Sequence, residues 1–179
     1  MTRVDFWFDF ISPFSYLAQQ RLDELPDGVE IRFRPVLFAG LLKHWDTRGP
    51  AEVAAHRRFT YRYCHWLAKQ QGIPYRTPSA HPFNPLAALR ASILLGNQPE
   101  HVNSIFRFIW RDGCLPEGKP WEALLQKLGV EEKDLSARKV KQALIENTNA
   151  AIDTTVFGVP SFSLLNGEGR SELFWGQDA

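Results

Sequence analysis

The stretch Asp9-Phe10-Ile11-Ser12-Pro13-Phe14-Ser15-Tyr16 decides the fold, because there a strand gives way to a helix. Residues 4–8 just before it are a short β-branched and aromatic run, which reads as a strand. Ser12 is a good N-cap, proline is tolerated at the first helical position, and Leu17, Leu22 and Leu25 follow at roughly helical spacing. The helix is predicted to run from Pro13 to just before Pro26, with Asp27-Gly28 as the turn that ends it. Residues 29–33 alternate apolar with charged side chains and read as a second strand. Strand, crossover helix and strand make a βαβ unit, whose strands are parallel and whose crossover is right-handed.

Further along, from about residue 38 to about residue 149, β-rich runs are few and amphipathic helical patterns succeed one another. Helices are predicted over residues 51–71, 86–95, 102–111, 121–128 and 140–155; Asn84 caps the second, with Pro85 at its first position. Two short runs at 161–165 and 172–175 are separated by Asn166-Gly167-Glu168-Gly169, which predicts an antiparallel hairpin. The chain is thus an α/β fold in which residues 1–37 and 150–179 are two halves of one domain and residues 38–149 are an all-helical insertion.

With 179 residues, 44% of them hydrophobic, the chain can bury a substantial core. Twenty-one basic and 20 acidic side chains leave a formal charge of +1, which gives no reason to expect nucleic acid or an anionic membrane. The first ten residues carry two aspartates within their apolar stretch and do not form a secretory h-region, and no run reaches a bilayer span, so a cytoplasmic protein is expected. Cys64 and Cys114 form no C-x-x-C pair and read as buried free thiols. The five histidines show no metal-ligand spacing, and no metal is expected. Arg57, Arg58 and Arg62 alternate with Phe59, Tyr61, Tyr63 and Trp66; on an amphipathic helix the arginines are expected on the wet face and the aromatics on the packed face.

Three segments carry possible chemistry. A helix N-terminus at Ser12 offers free N–H groups to an anion, and a hydroxyl there can donate to a bound thiolate. A plain helix cap explains the same serine, with Ser15 facing solvent, so this segment alone leaves both readings open. Val159-Pro160 precedes a strand, and a cis proline there would present the Val159 carbonyl and N–H at the domain edge, where an extended peptide can add as a strand. The run His81-Pro82-Phe83-Asn84-Pro85 and Trp110 are candidates to border a pocket, as is Phe14; a capped helix and a packed core explain them equally.

Ser12-Pro13-Phe14-Ser15-Tyr16-Leu17-Ala18 after a V-D-F-W-F-D-F strand, Gly158-Val159-Pro160-Ser161-Phe162, and Phe174-Trp175-Gly176-Gln177-Asp178 together resemble the 2-hydroxychromene-2-carboxylate isomerases, relatives of the kappa-class glutathione transferases. The resemblance implies a thioredoxin-like fold with an inserted helical domain. In the wider DsbA-like group a C-x-x-C stands where this chain has Ser12-Pro13-Phe14-Ser15, so dithiol exchange is lost. It further implies that glutathione is the cofactor, with Ser12 on its sulfur, Val159 and Pro160 beside its cysteinyl part, and Gln177 and Asp178 at its γ-glutamyl end. Relatives place an asparagine and a lysine before the long helix, where this chain has Thr47 and His56; His56 or Arg57 is then the candidate for a glutathione carboxylate. The implied activity is isomerisation of a small, unsaturated, aromatic-derived substrate, in a homodimer. A kappa-like transferase and a non-catalytic binding protein are the alternatives; a closing helix after Gln177-Asp178-Ala179 is expected by analogy and is absent from this sequence.

Overall fold

The computed structural model describes residues 2–165 and 171–178. Four strands form one sheet in the order β2-β1-β3-β4, with β1 at Thr2–Phe8, β2 at Val29–Pro35, β3 at Ser161–Leu165 and β4 at Ser171–Trp175. β1 and β2 are parallel, as a βαβ unit requires, while β3 runs antiparallel to both β1 and β4. The hairpin turn at 166–169 lies outside the described residues; the β3 and β4 pairing that it joins is antiparallel as predicted.

β1 is central, and both of its faces are buried. Phe6 and Phe8 point to one side, where they stack on each other and meet Phe33 edge-on, and Phe6 also stacks on Phe162. Trp7 points to the other, packs with Val36, Leu41 and Val156, and donates its indole N–H to Ser163 Oγ at 2.7 Å. Each aromatic pair adds about 0.5–1.5 kcal/mol beyond its burial, so this strand is the rigid member from which the site is built.

Helices lie on both faces. α1 (Pro13–Gln19), α3 (Ala54–Gln70), α4 (Leu86–Leu94), α5 (Pro99–Trp110) and α6 (Gly118–Lys127) contribute to the Phe6 side. α2 (Phe38–His44) and the end of α7 (Arg138–Asp153) cover Trp7. α2 to α6 lie within residues 38–149, and α7 crosses the expected boundary at residue 150, ending at Asp153. α1 is shorter than predicted: it stops at Gln19, and Leu22–Glu24 is a separate 3-10 turn. α5 starts one turn earlier than predicted, with Pro99 at its first position, where the missing N–H costs nothing.

Two burial expectations are corrected. Cys64 is buried, and its desolvated thiol is pushed up to about 12, but Cys114 is half-exposed beside the Arg111-Asp112 turn. On α3 the packed stripe is Cys64, Leu67 and Ala68, small enough to let the helix approach closely. The larger Phe59 and Trp66 are left 66% and 55% exposed, so the aromatics are not confined to the packed face.

Candidate active site

Asp9 ends β1 fully buried, and its carboxylate organises the turn that follows. Oδ1 accepts the Ile11 N–H at 3.0 Å, Oδ2 accepts the Phe38 N–H at 2.9 Å, and the Asp9 carbonyl accepts the Ser12 N–H at 3.1 Å. Burial raises the Asp9 carboxyl to about 7 against the lowering effect of these N–H donors. One side chain therefore ties the β1 end, the start of α1 and the start of α2 together.

Ser12 is the N-cap of α1 and is 7% exposed. Its Oγ accepts the Ser15 N–H at 3.1 Å and donates to the Val159 carbonyl at 3.3 Å. That second bond is long, since O–H···O bonds cluster near 2.7–2.8 Å, and a long neutral bond is readily exchanged for a charge-assisted one. Pro13 brings no N–H, and Ser15 and Tyr16 have acceptors in the Ser12 hydroxyl and carbonyl, which leaves the Phe14 amide without an acceptor inside the helix. α1 has only seven residues, so local donors matter here more than a macrodipole. Ser15 is fully buried instead of facing solvent, and its Oγ has no hydrogen-bond partner among the described residues.

The second motif meets Ser12, and the third meets the second. Val159-Pro160 is cis, the condition on which the strand-addition reading of this segment depends. Its Val159 carbonyl is the group that Ser12 touches, and the Pro160 carbonyl accepts the Gly176 N–H at 3.1 Å. Gly176 turns the chain out of β4 at φ +116, a conformation closed to residues with a Cβ, and so delivers Gln177 and Asp178. These two line a cleft of about 170 Å³ with Ala18, Arg21, Leu22 and Phe162. Gln177 Oε1 also accepts from Gln71 at the end of α3. From Ser12 to Ala18 the axis of α1 advances about 9 Å, a span that an extended tripeptide can bridge.

Of the remaining candidates, Phe14 is half-buried and packs on Tyr63 of α3 (6.1 Å between centroids), which stacks on Phe59 at 5.7 Å and on Trp66 at 6.0 Å. His56 stands exposed in the first turn of α3, on the helical face that carries Phe59 and Tyr63 three and seven positions on. Thr47 is exposed after α2, its N–H on the Leu42 carbonyl. Asn84 stands one residue before the cap: Pro85 takes the N-cap position of α4 instead of the first helical one, and Asn84 Oδ1 accepts the Leu86 N–H at 3.0 Å. Trp110 does not border a pocket directly: it is fully buried, its indole N–H is committed to the Phe10 carbonyl at 2.8 Å, and it stacks on Tyr75 and meets His81 edge-on. Trp110→Phe is expected to leave that carbonyl unpaired and to lower stability by about 1–3 kcal/mol, read as a shift of the urea midpoint at unchanged slope.

His81 and Tyr61 were not both legible as a unit: Tyr61 Oη lies 2.8 Å from His81 Nδ1, and His81 Nε2 lies 2.8 Å from the Ile11 carbonyl next to Ser12. A shared polar pattern in a helix and a loop 20 residues apart carries no sequence signal of contact.

The family model for the DSBA-like thioredoxin domain matches residues 3–179. The chain belongs to that family. Within the DSBA-like group it is 32% identical over 186 residues to a 2-hydroxychromene-2-carboxylate isomerase of Pseudomonas putida, a match covering 98% of this chain and 89% of the relative. It is 26% identical over 197 residues to glutathione S-transferase kappa 1 of Caenorhabditis elegans, covering 99% and 87%. A solved structure of 2-hydroxychromene-2-carboxylate isomerase superposes with a TM-score of 0.82 at 28% identity, covering 98% of this chain and 89% of that one. The architecture of this DSBA-like chain is therefore the thioredoxin-like fold with helices inserted between its halves.

Proposed function

We propose that the protein binds glutathione at Ser12 as the thiolate and isomerises a small, unsaturated, aromatic-derived carboxylate or ketone. The observation that carries this reading is the meeting of three distant segments: Ser12 Oγ on the Val159 carbonyl, and the Pro160 carbonyl on the Gly176 N–H. The isomerase and kappa-class names of its relatives support it.

The residues fit the tripeptide by their chemistry. The Ser12 hydroxyl, released from its long bond to Val159, is a donor for a thiolate, and the Phe14 amide is a second. The freed Val159 carbonyl is an acceptor for a peptide N–H. Asp178 suits an α-ammonium, with Gln177 held beside it by Gln71. When bound, glutathione supplies a sulfur that adds reversibly to a conjugated carbon, so that a double bond becomes rotatable and the tripeptide leaves unconsumed. Phe14, Tyr63 and Phe59 form an aromatic wall beside Ser12 for a flat substrate, and His56 and Arg57 of α3 are available to a carboxylate. Cytoplasmic location belongs to the same reading; among the described residues no helix is long and apolar enough to cross a membrane.

Product analysis with 2-hydroxychromene-2-carboxylate and glutathione tests the proposal. A geometric isomer formed at constant total glutathione supports it; thiol lost into an adduct makes the protein a kappa-like transferase instead. No turnover and no calorimetric binding of glutathione leave a non-catalytic binding protein.

Asp178→Asn should weaken glutathione binding only about two- to fivefold, because Asp178 is exposed and an exposed ion pair contributes at most about 1 kcal/mol. The effect should fade at high salt, and the ultraviolet thiolate band of the bound tripeptide should be unchanged.

A further inference from the structure

His81 sits between α3 and α4 with its ring enclosed by Tyr61, Phe83 and Trp110, all roughly edge-on at 5.3–5.8 Å between centroids. Both ring nitrogens are engaged. Nε2 lies 2.8 Å from the Ile11 carbonyl and Nδ1 lies 2.8 Å from the Tyr61 hydroxyl, which also reaches the His81 carbonyl at 3.1 Å. A carbonyl only accepts, so Nε2 must carry a proton. In a neutral ring Nδ1 is then an acceptor, and the single Tyr61 hydroxyl proton is shared between Nδ1 at 2.8 Å and the His81 carbonyl at 3.1 Å. Burial holds His81 below its ordinary value, and Arg57, the charged neighbour on α3, acts in the same direction against the Ile11 carbonyl, which favours the neutral ring.

The Ile11 carbonyl belongs to the peptide that leads into Ser12. On the β1 side that turn is held by Asp9, which takes the Ile11 and Ser12 N–H groups. Its carbonyl side is held from the helical insertion, 70 residues away, through His81. Rotation of this one peptide would swing Ser12 Oγ away from the Val159 carbonyl.

We propose that His81 is a positioning residue for Ser12: its Nε2–H fixes the Ile11–Ser12 peptide, and Tyr61 fixes the tautomer that makes this possible. The helical insertion thereby sets the orientation of the hydroxyl at the start of α1. The importance of that hydroxyl for glutathione rests on the proposed function; the link itself does not.

Ring-nitrogen NMR and amide exchange on the free protein, followed by ultraviolet titration of bound glutathione, test the link. The wild type should show His81 as the Nε2–H tautomer, and Tyr61→Phe should mix the two tautomers. His81→Leu should speed Ser12 amide exchange about two- to tenfold, the loss of one neutral hydrogen bond, and bound glutathione should ionise at higher pH. His81→Gln, whose amide can donate to the same carbonyl, should restore both readings. An Nδ1–H tautomer in the wild type overturns the proposal, as does a folded His81→Leu variant whose Ser12 exchange and thiol titration match the wild type. If His81→Leu does not fold, Tyr61→Phe decides alone: an unmixed tautomer with unchanged Ser12 exchange overturns it. Failure of the wild type to bind glutathione would instead remove the proposed function, since tautomer and exchange are read without ligand.

Discussion

Ser12→Ala is expected to weaken glutathione binding at neutral pH about ten- to a hundredfold and to remove most of the ultraviolet thiolate band of the bound tripeptide. The variant loses a donor to an ionised sulfur, and a hydrogen bond to a charged group contributes about 1.5–3 kcal/mol. The same substitution deletes the cap that accepts the Ser15 N–H, which by itself costs the fold about 1 kcal/mol. Binding and stability therefore have to be measured together, by calorimetric titration and by urea unfolding. A tenfold loss of affinity alongside a small loss of stability assigns the hydroxyl to the ligand. Unchanged affinity and an unchanged thiolate band, with only the stability lowered, would reduce Ser12 to a helix cap and leave the Phe14 amide as the sole donor.

Ser12→Thr separates the two roles further. Threonine keeps the hydroxyl and remains a good cap, but its methyl group must share the space around the Val159 carbonyl, 3.3 Å from the serine oxygen. Stability should be nearly retained while glutathione affinity falls, because the two rotameric positions of the hydroxyl are no longer equally open.

Much of this arrangement is written in local chemistry. The strands of residues 4–8, 29–33 and 161–165 were recognisable because β-branched and aromatic runs bounded by turn residues have few other outcomes. Ser12 before Pro13 announces a helix start for the same kind of reason. What sequence reasoning missed depends on distance along the chain. Asp9 reads as one polar residue in an aromatic strand until Phe38, 29 positions later, is seen to donate to it. His81 and Ile11 are 70 positions apart. Helical periodicity misplaced Phe59 and Trp66 because it assumes that the larger apolar side chains face the core, whereas close packing of α3 is achieved by Cys64, Leu67 and Ala68.

Asp9 gives the largest expected effect on stability. Unfolded, its carboxyl titrates near 3.8; folded, it holds its proton up to about 7. Below the lower value both states are protonated and Asp9 adds no pH dependence. Between the two values the unfolded chain has released the proton and the native chain has not, so each rise in pH favours unfolding; above about 7 both states are ionised and the change is complete. Asp9 should thus remove on the order of 4 kcal/mol of stability as pH rises through this window, at about 1.4 kcal/mol per unit. Asp9→Asn keeps one oxygen for one of the two side-chain acceptances, from Ile11 or Phe38, and presents an N–H₂ to the other, at a cost of about 1–3 kcal/mol. The variant should lie within about 1–2 kcal/mol of the wild type at pH 5 and be more stable than it by about 1–3 kcal/mol at pH 8, since it has no charge to bury. Urea unfolding of both proteins at the two pH values gives the difference, in which the other titrating groups cancel. An equal difference at pH 5 and pH 8 would mean that Asp9 is already ionised in the native protein. A protonated Asp9 also bears on Ser12: it accepts the turn's N–H groups without placing a second negative charge beneath the position proposed for a thiolate. Ionisation of Asp9 should therefore oppose ionisation of the bound thiol, and Asp9→Asn should shift that titration to lower pH in the range where wild-type Asp9 carries its charge.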